Sequence, residues 1–110
     1  MGADERNDYG LTARDMATIL SILRRFPAVQ EVVLFGSRAM GTFRKGSDID
    51  LSVMNTGIEK VDFNALQEAF EESSLPYRVE VHYFPSISDL VFKTSILRWG
   101  KNIYTSKKSV

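Results

Sequence analysis

Asp48 and Asp50 stand one residue apart in D-I-D-L-S-V-M, interleaved with Ile49, Leu51 and Val53. Side chains alternate across a β-strand, so the pattern sets the apolar residues on one face and Asp48, Asp50 and Ser52 on the other. The segment predicts a strand with one dry and one wet face. Carboxylates on a strand anchored in a core must be paired, hydrogen-bonded or bound to a cation. At about 6.5 to 7 Å between alternate Cα atoms, Asp48 and Asp50 converge on one site. Oxygen ligands suit Mg²⁺, and a two-metal site with ions about 3.5 to 4 Å apart can be bridged by such a pair.

Just upstream, E-V-V-L-F from Glu31 to Phe35 is a short β-branched run ended by Gly36, as expected of a central strand covered on both faces. Gly36 and Ser37 then open S-R-A-M-G, a helix-compatible turn. Backbone amides beside a glycine and a serine hydroxyl can hold an anion. Phosphate is the anion that also requires Mg²⁺. If the two strands are neighbours, one triphosphate can reach both the turn and the aspartates.

The remaining segments predict an alternating α/β order. L-T-A-R-D-M-A-T-I-L-S-I-L-R-R-F-P carries a capping-box spacing at Thr12 and Asp15, with Met16, Ile19, Leu20 and Leu23 on one face. D-F-N-A-L-Q-E-A-F-E-E-S-S is a second amphipathic helix, with Phe63, Leu66 and Phe70 inward. Y-R-V-E-V-H-Y-F alternates again, with Glu80 and His82 on its polar face. A last helix is expected from Ser86 to about Gly100. Its apolar residues form two stripes, one of Ile87, Leu90, Val91, Thr94 and Leu97, the other of Phe92, Ile96, Trp99 and Ile103. A helix apolar on two sides needs cover on both, from the first helix, a partner or a second copy.

At 110 residues there is room for one domain, taken as 11–104 between flexible ends at 1–10 and 105–110. Fourteen basic residues balance fourteen acidic ones, which argues against extensive nucleic-acid binding. No segment has the ~20 apolar residues of a membrane span, and nothing at the N-terminus looks like a signal sequence, so a cytoplasmic location is expected. The absence of cysteine excludes a disulfide framework and a thiolate metal site.

Gly36-Ser37, ten residues, then Asp48-Ile49-Asp50 resembles the signature of the polymerase-β-like nucleotidyltransferase superfamily, with Gly41, Ser47 and Leu51 also in family positions. The likeness is to the minimal nucleotidyltransferase branch, whose members often act as antitoxins beside a HEPN-domain partner. The resemblance extends from about Thr12 to Trp99. It implies an α+β fold, a small mixed β-sheet with helices packed mainly on one face. It implies that Gly36, Ser37, Arg38 and Ser47 hold nucleotide phosphates, that Asp48, Asp50 and Glu80 are catalytic and bind two Mg²⁺ ions, and that ATP is the substrate. The family more often has aspartate at the position of Glu80. The implied reaction transfers AMP to a hydroxyl acceptor, with a HEPN toxin as the candidate acceptor.

Other readings compete with these assignments. A calcium-binding EF-hand loop starting at Asp48 fails, because Val53 stands where a glycine must turn the chain. Arg44 and Lys45 could steady a triphosphate, and His82 could shuttle a proton beside Glu80. The rival from another class is a nucleotidyltransferase fold that acts as an antitoxin by complex formation alone, with weak or no catalysis; a homo-oligomer is a further possibility.

Overall fold

The computed structural model describes residues 5–106. Helix α1, Ala13–Arg24, begins with the expected capping box: the Asp15 N–H donates to Thr12 Oγ1 and the Thr12 N–H to Asp15 Oδ2, each at 3.0 Å. Strand β1, Glu31–Phe35, leads into the one-turn helix α2, Ser37–Met40, and strand β2 is Ile49–Val53. Helix α3, Lys60–Glu71, strand β3, Val79–Tyr83, helix α4, Leu90–Trp99, and strand β4, Lys101–Thr105, follow in order among the described residues.

The four strands form one mixed sheet in the order β3-β2-β1-β4. β1 pairs antiparallel with β2 and β4, while β2 and β3 run parallel. The two-residue period sorts each strand onto two faces. Val32, Leu34, Ile49, Leu51, Val53, Val79 and Val81 pack with Ile19, Ile22 and Leu23 of α1 and Leu66 and Phe70 of α3, forming the main core. Val33 and Phe35 point the other way and meet Ile96 and Phe92 of α4. β1 is therefore central and covered on both sides, as its unbroken apolar run demands.

Several details differ from the sequence reading. Ser86 does not open the last helix: Phe84–Ser86 is a 3₁₀ turn, and Asp89 is the N-cap, accepting the Phe92 N–H at 3.1 Å. Ile103 leaves the helical stripe because Gly100 ends α4 and the chain returns as β4 along the open edge of β1. A free tail is expected from residue 105, yet Thr105 still pairs with Glu31; residues 107–110 lie outside the described range. At the other end, part of the expected flexible start is built into the domain. The Tyr9 and Gly10 carbonyls accept from Arg38, and residues 1–4 lie outside the described range. Of the two α4 stripes, Ile96 is buried, whereas Leu90, Val91 and Leu97 are 74%, 80% and 66% exposed.

The free edge of β3 is closed by a side chain. Gln67 of α3 donates to the Val79 carbonyl and accepts the Val81 N–H, both at 2.9 Å, as a neighbouring strand would. An unpaired strand edge invites association with other chains. Gln67→Leu removes both bonds and should cost about 1–2 kcal/mol in chemical denaturation, with increased self-association on size-exclusion chromatography. An unchanged midpoint would show that water replaces the amide at no cost.

Candidate functional site

Asp50 lies at the centre of the candidate site because two register relations meet there. Across β1 it faces Phe35, and across β3 it faces Glu80. Gly36 follows Phe35, the last residue of β1, and Asp48 immediately precedes Ile49, the first residue of β2. The turn that follows β1 thus lies beside the start of β2, and Gly36 packs directly on the Asp50 carboxylate. Gly36 has φ +76° and ψ −158°, a region essentially reserved for glycine. It caps α2 with no side chain, which leaves the first amides of that turn available to solvent or an anion.

Asp50 is the perturbed acid of the site. The Asp50 carboxyl is raised from its ordinary value of 3.8, first by burial and then by the negative charges of Glu80 and Asp48, with His82 opposing. Glu80 is half-exposed and lies 3.7 Å from Arg78 and 3.8 Å from His82 Nε2. His82 is in turn held edge-on between Phe35 and Phe92, at ring distances of 5.4 and 5.3 Å.

Among the described residues no three acidic or imidazole groups form a ready-made metal cage. Mg²⁺ usually takes one or two carboxylates and completes its shell with water and substrate phosphate. Asp48 and Asp50 supply hard oxygens, and a cation there would relieve the repulsion that raises Asp50. The donor set fits.

The two remaining sequence candidates are occupied differently. Arg38 is only 2% exposed; its Nε and Nη2 donate to the Ser47 carbonyl at 3.1 and 2.7 Å, and Nη1 donates to the Tyr9 carbonyl at 2.8 Å. It ties the N-terminal segment to the entrance of β2. Ser47 Oγ accepts the Arg44 N–H at 2.8 Å and so closes the turn before Asp48. Both residues hold the loop that aims the aspartates.

What the sequence reading missed is the partial roof over this face. Ser52, expected on a wet surface, is fully buried and its hydroxyl has no hydrogen-bond partner among the described residues. The packing of Phe92 and Ile96 of α4 against Val33 and Phe35 dries that end of the face. The spacing of Phe92 and Ile96 carried the signal, but not the face they would cover.

A small mixed sheet with a glycine-serine turn beside paired aspartates defines a nucleotidyltransferase fold. The chain belongs to the polymerase beta nucleotidyltransferase family, whose model matches residues 17–109. It is 38% identical over 74 residues to the probable protein adenylyltransferase MntA of Haemophilus influenzae, a match covering 64% of this chain and 63% of that relative. The chain thus aligns with less than two thirds of the relative's length. Its fold is similar to a toxin-antitoxin crystal structure with AMP-PNP, with TM-score 0.67 and 25% identity over 84% of this chain and 75% of that one. It is also similar to a complex of a tri-AMPylated Shewanella oneidensis HEPN toxin with an MNT antitoxin. There the TM-score is 0.60 and the identity 21%, covering 83% of this chain and 70% of the other.

Proposed function

We propose that this protein is a protein adenylyltransferase that moves AMP from ATP to a hydroxyl side chain of a HEPN-domain partner, as the antitoxin of that pair. The observation that carries the reading is the packing of the Asp50 carboxylate on Gly36, which joins the acidic oxygens to the anion-holding turn. The similarity to an adenylyltransferase and to toxin-antitoxin complexes supports the choice of donor and acceptor.

Gly36 and Ser37 hold the phosphates through the open amides of α2 and the Ser37 hydroxyl. Asp48 and Asp50, with Glu80 beside them, would hold two Mg²⁺ ions, which when bound would neutralise the triphosphate and the charge developing on the leaving oxygen. The acceptor oxygen attacks the α-phosphorus in line, a new phosphorus–oxygen bond forms, the α–β bridging bond breaks, and pyrophosphate departs. The acceptor proton passes to Glu80, which His82 orients from 3.8 Å away. Arg38 and Ser47 act on the site by fixing the loop before Asp48.

The test is incubation of the protein with α-labelled ATP, Mg²⁺ and a HEPN-domain protein with which it forms a complex. Label should appear on the partner and be absent when EDTA replaces Mg²⁺. A stable complex of the two proteins that acquires no label would eliminate the enzymatic reading and leave neutralisation by binding.

A further inference from the structure

A second cavity lies beside Arg38. It has a volume of about 620 Å³ and is lined by Arg38, Phe43, Arg44, Lys45 and Tyr77, with Arg6, Pro76 and two glycines completing the wall. That volume is ordinary for a small-molecule site. None of Gly36, Ser37, Asp48, Asp50 or Glu80 lines it, and no acidic side chain does. Tyr77 packs with the main core, whereas Phe35, paired with Asp50, belongs to the opposite face.

The charge balance of this cavity is unusual. The Arg38 guanidinium is almost fully buried, and its recorded acceptors are neutral carbonyls of Tyr9, Gly10 and Ser47. Ion pairs among the described residues involve Arg78, His82 and Glu80, not Arg38, Arg44 or Lys45. A buried cation without an opposite charge is costly, and carbonyl dipoles meet only part of that cost. The guanidinium lies 4.4 Å from the Tyr77 ring centroid and 5.3 Å from that of Phe43. The Gly10 backbone passes so close to Arg38 and Phe43 that an added Cβ would fall 2.9 Å from Nη1. This close packing fixes the guanidinium while Arg44 and Lys45 stand exposed at the rim.

We propose that this cavity binds the phosphate group of a nucleoside monophosphate or of free phosphate, separately from the carboxylate site and without a metal ion. Arg38 fixes the positive floor, Arg44 and Lys45 close on the anion from solvent, and the aromatic walls accept a base where one is attached.

Amide NMR and calorimetric titrations of the full chain in EDTA, with AMP, inorganic phosphate and adenosine as probes, test the site. AMP should shift the amides of Phe43, Arg44, Lys45, Gly46 and Tyr77, and Arg44→Ala/Lys45→Ala should weaken binding by roughly tenfold or more, a loss of about 1.4 kcal/mol. Both substituted residues are exposed, so the fold should be retained, as the undisturbed remainder of the amide spectrum will show. Equal affinity for phosphate and AMP identifies a phosphate site; tighter AMP binding adds the base. The proposal is overturned if adenosine binds as well as AMP, if the double substitution changes nothing, if the shifts are confined to Gly36 and Ser37, or if AMP and phosphate fail to bind at millimolar concentration.

Discussion

Replacing both Asp48 and Asp50 with asparagine is expected to lower AMP transfer by at least about 10²-fold while the protein stays folded. On the proposed reading the two carboxylates are the ligands through which the cation would meet the triphosphate, and an amide oxygen cannot replace their charge. Asp50→Asn alone carries a second signature that separates chemistry from structure. Burial and two like charges raise the Asp50 carboxyl from 3.8, so ionising it is less favourable in the folded protein than in the unfolded chain. For a group whose folded value lies above its unfolded value, this penalty is absent at pH below the unfolded value, grows between the two, and is complete above the folded value. Asp50→Asn should therefore raise the thermal midpoint at neutral pH in the absence of metal, and this gain should disappear as the pH falls below the ordinary carboxylate range. A variant that is less active and also less stable at pH 7 would mean that Asp50 is a structural anchor.

Gly36→Ala should damage stability and activity together. Its backbone conformation costs a non-glycine residue about 1–3 kcal/mol, which in a domain of this size lowers the melting temperature by several degrees or more. The added methyl group also meets the Asp50 carboxylate, so relief requires the acid or the turn to move. Displacement of a reacting group by about 1 Å can cost about 10²-fold in rate. Gly57→Ala is the matched control. Gly57 also has positive φ, at +91°, but nothing lies within 4 Å of the added carbon. It should lose stability and keep transfer activity. Equal loss of activity in both variants, measured well below their melting temperatures, would disconnect Gly36 from the site.

The local elements were legible because each is controlled by neighbours in sequence. Thr12 and Asp15 announced α1, the alternation of Ile49, Leu51 and Val53 announced β2, and the unbroken run ending at Phe35 announced a strand covered twice. β4 was not legible. Lys101–Thr105 is mostly exposed and weakly patterned, and it becomes a strand because β1 offers it an unpaired edge. Likewise, Arg38 reads as a phosphate ligand from its place after Ser37, yet its guanidinium is directed to three carbonyls contributed by residues 9, 10 and 47.

The sequence by itself determined which residue types could do chemistry here: two aspartates at alternate positions, Asp50 on β2 and Asp48 just ahead of it, and a glycine-serine turn at the end of another strand. Their spacing follows from the two-residue period of a strand, which needs no knowledge of the rest of the molecule. Tertiary structure decided their meeting. Only the antiparallel register of β1 with β2 brings Gly36 onto Asp50, and only the parallel pairing of β3 adds Glu80. These contacts depend on which strands become neighbours, and that is fixed by burying Val32, Leu34, Leu51 and Val81 in one common core.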